Sequence, residues 1–108
     1  MGMVKNLEKM LAKGRDDAML RFGLGSAYFN EDNFSLAVTH LEACLAQDDS
    51  YSAAYKLLGK AYLKGGEPGK AISTFETGMS VAEGQGDKQS QKEMRVFLAK
   101  AQKEIGNG

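Results

Sequence analysis

When the chain is slid against itself, its strongest self-match falls at the offset that carries Leu24 onto Leu58, and that periodicity constrains the fold more than any other feature. Leu24-Gly25-Ser26-Ala27-Tyr28 falls on Leu58-Gly59-Lys60-Ala61-Tyr62, Ala37 on Ala71, Leu41 on Phe75, Glu42 on Glu76 and Leu45 on Met79. Leu24, Gly25 and Tyr28 stand at helical spacing on one face, as do Leu58, Gly59 and Tyr62. A glycine inside a helix costs up to about 1 kcal/mol relative to alanine, and close approach of a second helix is the expected compensation. Ala37, Leu41, Cys44 and Leu45 form the apolar stripe of that second helix, with Ala71, Phe75, Gly78 and Met79 as its counterpart. Glu31-Asp32-Asn33 and Gly65-Gly66-Glu67-Pro68 are the intervening turns, and Pro68 suits the first turn of a helix, where a missing N–H does no harm. Each copy is therefore expected to be an antiparallel helical hairpin, with tyrosines of one helix resting over Ala, Cys or Gly of the other.

These residues resemble the tetratricopeptide repeat family, whose period of about 34 residues is the step found here. Its pattern has a large residue, two spacers, Leu-Gly, two spacers and Tyr, then Ala, three spacers and an aromatic, closing with Pro. The second copy supplies Tyr55, Leu58, Gly59, Tyr62, Ala71 and Phe75; the first supplies Leu24, Gly25, Tyr28 and Ala37, with Arg21 in the leading aromatic place and Leu41 in the later one. Asp49 and Glu83 stand where the closing proline would be. The resemblance runs in register from residue 18 to about 85 and implies an all-α, right-handed α-solenoid of antiparallel hairpins. Leu7, Met10 and Leu11 lie one full period before Leu41, Cys44 and Leu45, so residues 3–13 are expected to be the second helix of a truncated repeat. Repeats at 18–51 and 52–85 follow. A helix over 87–105, capped by Asp87 and striped by Met94, Phe97, Leu98, Ala101 and Ile105, would close the array, giving six helices in one domain.

Charge and length narrow the functional classes. Lys plus Arg balance Asp plus Glu at fourteen each in 108 residues, so no net field draws the molecule to nucleic acid or an anionic membrane. No stretch approaches the roughly 20 apolar residues of a membrane helix, and the opening residues lack the apolar run of a secretion signal, so a cytoplasmic location is expected. Cys44 is the sole cysteine, which leaves neither a disulfide nor a multi-cysteine metal site. His40 and Cys44 stand four apart, but Cys44 occupies a small-residue packing place, and a buried structural thiol is expected. Asp16-Asp17 and Asp48-Asp49 lie between helices, where carboxylates favour the next N-terminus. Met10, Met19, Met79 and Met94 read mostly as core-stripe residues rather than metal ligands, and Gly84-Gln85-Gly86 follows no strand that would make it a phosphate loop. No catalytic set, metal site or cofactor is expected.

The resemblance implies that the first helix of each hairpin lines a concave surface. On residues 52–64 the apolar positions fill most of the circumference and leave Lys56, Lys60 and Lys64 as one stripe, beside Leu63. Three like charges at that spacing destabilise a helix by a few tenths of a kcal/mol per pair, so something other than helix stability can favour them; a merely solvated face is the plain alternative. The earlier hairpin carries Phe22, Ser26, Phe29 and Asn30 on the matching face, with Met19 beside them, and Arg95, with Lys92, would extend the basic side in the last helix. Phe22 and Phe29 would be covered by the N-terminal helix, seal a homodimer or hold a ligand. The carboxylate clamp of one subclass of the family is absent, since Phe22, Ser26 and Leu57 occupy its places. The expected role is that of a peptide-binding adaptor or assembly module, taking an acidic segment with a hydrophobic anchor. The alternative is a homo-oligomerising module whose groove is filled by its own copy, so the chain would be a monomer or weak homodimer. Neither nucleic acid nor membrane is expected as a partner.

Overall fold

A computed structural model describes residues 2–107, Asn107 by its backbone alone. Among the described residues there are six helices and no strand: α1 (Gly2–Ala12), α2 (Ala18–Asn30), α3 (Phe34–Gln47), α4 (Ser52–Lys64), α5 (Pro68–Gly84) and α6 (Lys88–Asn107). Their ends follow from local chemistry. The carboxylates of Asp17 and Asp87 accept from the amides of Leu20 and Ser90 at 2.7 and 3.1 Å, and the Asn33 side chain accepts from the Leu36 amide, satisfying donors that a helix start leaves without partners. Pro68 opens α5. Four helices close alike, with a left-handed residue followed by an amide that donates back across the last turn: Arg15 to the Met10 carbonyl, Asn33 to Tyr28, Glu67 to Tyr62 and Asp87 to Ala82. Gly14, Gly66 and Gly86 take the left-handed place without cost, whereas the first hairpin uses Asp32 at φ 61°. The aspartate pairs divide their work: Asp17 caps α2, Asp16 grips Arg21, and Asp48 holds the turn through the amide and hydroxyl of Ser50.

α2 pairs with α3 and α4 with α5 as successive hairpins, while α1 lies on α2 and α6 packs against α5 and α4. Extents of 43 × 31 × 19 Å correspond to two layers of helices. Within them the backbones of α2 and α4, and of α4 and α6, approach closely, whereas those of α3 and α5 stay farther apart, so the array curves with α2, α4 and α6 on its inner side. The core is centred on Leu24, Leu41, Cys44, Phe75 and Met94, all buried.

The repeated glycines sit where helices approach most closely. A Cβ on Gly25 would fall 2.5 Å from Leu41 Cγ, and one on Gly59 would fall against the Phe75 ring at 2.3 Å. One on Gly78 would strike the Cβ of Tyr55 at 2.5 Å, so a tyrosine does rest over a small residue of its partner helix. A polar joint repeats at the same period: the Tyr28 hydroxyl donates to Glu8 at 2.6 Å, and the Tyr62 hydroxyl donates to Glu42. Tyrosine and glutamate are displaced by the same full period, so α1 meets α2 as α3 meets α4. In α6, Met94 and Ala101 are buried and Phe97 and Leu98 half-buried, but Ile105 departs from the expected stripe at 50% exposure. No helix among the described residues is long and apolar enough to cross a membrane.

Candidate functional site

The inner side is built by three helices running in one direction. α2 contributes Met19, Phe22, Ser26, Phe29 and Asn30, which recur at three- and four-residue intervals and therefore share a face. Phe22 stacks on Tyr51, just ahead of α4, with ring centroids 5.0 Å apart. Phe29 meets Phe34 edge-on at 5.4 Å. Helix α1 lies on the Gly23 and Tyr28 side of α2, where Leu7 Cδ1 would stand 3.6 Å from a Cβ on Gly23. Met19 is not a core residue, being 68% exposed, and Met10 is 40% exposed.

The three lysines of α4 take three different situations. Lys56 donates to Glu93 of α6, whose carboxylate also accepts from Gln89 at 3.0 Å; Lys56 and Gln89 hold it below the usual carboxylate range. Lys56 thus belongs to the α4–α6 joint. Lys60 stands between aromatic rings, its ammonium 5.6 Å from the Phe29 centroid and 5.0 Å from that of Phe97. Lys64 is exposed at the end of the helix. Around the last two lies a hollow of about 440 Å³ between α4 and α6, with Leu63 and Phe97 as apolar surfaces and Lys60, Lys64, Lys100, Lys103 and Glu104 around them.

Phe29, Lys60, Leu63 and Lys64 are therefore brought together, with Phe22 and Ser26 farther along the same side. Arg95 is not with them. It lines a separate hollow with Glu76, Met79, Ser80 and Glu83 of α5, on the other side of α6. An unbroken repeat would start α6 at the same step that separates α2 from α4, but α5 has 17 residues where α3 has 14, and α6 starts late. With Ser52 of α4 matched to Lys88 of α6, the cation of α6 at the groove is Lys100, the counterpart of Lys64, with Lys103 one turn on. Phe97, expected only in the core, is shared: it stacks on Phe75 at 6.0 Å and meets the ammonium groups of Lys60 and Lys100. The spacing of Phe97, Lys100 and Lys103 was the available signal.

His40 and Cys44 are engaged in packing. Burial lowers the His40 pKa; its ring lies 4° from parallel with Tyr28, and Nδ1 is 3.1 Å from the Arg21 guanidinium. Burial pushes the Cys44 thiol up to about 11, the reverse of what a nucleophile needs. Among the described residues, no three His, Cys, Asp or Glu side chains converge as a metal site would require.

No family model matches the chain. The TPR repeat-containing protein PA0015 of Pseudomonas aeruginosa, however, is 50% identical over 98 residues, spanning 91% of this chain and 93% of that protein. The chain is a tetratricopeptide repeat protein. Protein BPP2914 from Bordetella parapertussis has a solution structure that matches 94% of this chain and 89% of its own at a TM-score of 0.83 and 40% identity. The crystal structure of a tetratricopeptide repeat domain protein from Salinibacter ruber matches 80% of this chain and 97% of its own at 0.73 and 29% identity. Within the tetratricopeptide pattern the notable departure is Arg21 in the leading aromatic place. Its guanidinium makes two bonds to Asp16, at 2.8 and 2.9 Å, and reaches His40. Tyr55, the aromatic at the same place in the next repeat, bonds the Asp49 carbonyl at 2.8 Å. A charged pair and a phenol thus tie the start of their helices to the preceding loops.

Proposed function

We propose that this tetratricopeptide repeat protein is a binding module that holds a short acidic segment of another protein, with one apolar anchor, on its inner side. The observation that carries this is the position of Lys60, held between Phe29 and Phe97 at the edge of a hollow whose other cations are Lys64, Lys100 and Lys103. Leu63 and Phe97 offer a surface from which an apolar side chain can displace water. Four ammonium groups around it face a single carboxylate, Glu104, which favours acidic residues next to the anchor and disfavours basic ones. A hollow of about 440 Å³ suits one or two large side chains rather than a broad protein face. With so few anchors, a dissociation constant of about 1 to 100 μM is expected.

Calorimetry with a series of peptides tests the proposal. An acidic peptide carrying Leu or Phe is expected to bind, and peptides lacking either the acids or the anchor to bind at least tenfold more weakly. The pair Lys64→Glu and Lys100→Glu, both at exposed positions, should reduce binding at least tenfold. Lys56→Ala should leave it within about twofold, because that lysine is paired with Glu93. Undiminished binding by the Lys64/Lys100 variant would remove the groove from the proposal.

A further inference from the structure

Among the described residues Lys60 has no carboxylate partner, although Glu104 lines the same hollow and Lys56, one turn earlier, is paired with Glu93. Its ammonium stands instead 5.6 Å from the Phe29 centroid and 5.0 Å from that of Phe97. Attraction of a cation to the face of a ring is weaker at a partly exposed site than a charge-assisted hydrogen bond to a carboxylate. Lys60 is thus held where it is by contacts that a partner's acid can outcompete.

The two rings are fixed from behind. Phe97 stacks at 6.0 Å on Phe75, which is fully buried, and Phe29 meets Phe34 edge-on at 5.4 Å. The Lys60 ammonium, by contrast, ends a flexible four-carbon stem. The walls therefore stay while the group between them is free to move. Aromatic pairs prefer centroid separations of about 4.5–7 Å. The point that the ammonium occupies lies within that range of both rings, so a third ring placed there would meet Phe29 and Phe97 together. Lys64 and Lys100 line the same hollow, and Lys100 also lies 5.9 Å from the Phe97 centroid. A carboxylate brought into the hollow is attracted by all three ammonium groups, which draws Lys60 off the rings.

We propose that the space between Phe29 and Phe97 is a binding site for an aromatic side chain of the partner, closed by Lys60 until a carboxylate beside that side chain takes the ammonium. This rests on the groove reading above and names its anchor. Lys60 becomes the residue that determines specificity: an aromatic residue without a neighbouring acid meets a closed site, and an acid without the ring leaves the opened site unused.

Calorimetry with three acetylated and amidated pentapeptides tests this: Asp-Asp-Phe-Asp-Asp, Asp-Asp-Leu-Asp-Asp and Asn-Asn-Phe-Asn-Asn. The parent chain should bind the first at least fivefold more tightly than either of the others. Lys60→Ala, at a half-buried position where alanine suits the helix, should bind Asn-Asn-Phe-Asn-Asn at least fivefold more tightly than the parent does, because the site is then open. Lys64→Ala removes a charge from the same hollow without opening the site, and should leave the affinity for that neutral peptide within about twofold. In proton spectra of the parent, the ε-methylene signals of Lys60 should lie upfield through the ring currents of Phe29 and Phe97, and should move toward the ordinary lysine position when Asp-Asp-Phe-Asp-Asp binds. If the parent binds that peptide but Lys60→Ala takes the neutral one no more tightly, or the Lys60 signals stay in place, or the Leu peptide binds equally well, the inference falls while the groove reading stands. If neither chain binds any of the three at millimolar concentration, both fall.

Discussion

At the scale of single residues, the glycines are defined by what stands opposite them. Gly25→Ala would put a methyl group 2.5 Å from Leu41 Cγ, a side chain with no exposed surface into which to retreat. Overpacking of this kind costs about 1–3 kcal/mol, more than the helix propensity gained, so the variant should unfold at lower urea than the parent. This contact was legible in the sequence because a glycine inside a helix is costly, and one that recurs at fixed period, with a large residue recurring on the partner helix, points to close packing. Arg21 was not legible in that way. Its partners, Asp16 and His40, come from a loop and from another helix, and no local pattern joins them.

His40 carries a pH dependence whose sign follows from its burial. The folded-state pKa lies below the ordinary 6.5, mainly through desolvation; Arg21 pushes in the same direction, while Glu8 and Asp16 oppose it. The unfolded chain therefore binds a proton more readily than the folded one. The contribution is fully present above the ordinary value of 6.5 and is lost as pH falls from there through the folded-state value. Asp16, held down to about 2 chiefly by Arg21, titrates well below that window. The urea midpoint should fall between about pH 7.5 and 5.5, and His40→Gln should remove most of that slope.

At the scale of elements, α1 is the least secured helix, since none of its residues is buried and the Tyr28–Glu8 bond is its main polar tie to α2. Losing a hydrogen bond at a partly exposed site costs roughly 1 kcal/mol. Tyr28→Phe should therefore speed hydrogen exchange of the α1 amides about fivefold while the α4 and α5 amides keep their rates. The helices themselves were readable from capping residues, turn residues and period. The position of α6 was harder, because the extra length of α5 breaks the repeat step and exchanges the expected Arg95 for Lys100 and Lys103 at the groove.

For the whole molecule, curvature determines which sequence features meet. The inner helices lie closer to one another than the outer ones do, so positions on α2, α4 and α6 that are far apart in the chain converge: Phe29, Lys60 and Phe97 stand within one cluster. Each residue could be assigned to an outward face from its own helix, yet the pairing of Lys56 with Glu93, which removes it from the groove, depends on how two helices are offset along their axes. Periodicity within a helix carries no information about that offset.

The close approaches at Gly25, Gly59 and Gly78 bear on how such a protein can grow. A new helix seats only where its missing side chain meets the neighbour's bulky one, so an insertion of arbitrary length would throw every later contact out of phase. Duplication of a whole hairpin preserves them all, and lengthening by complete modules is the evolutionary route this architecture leaves open.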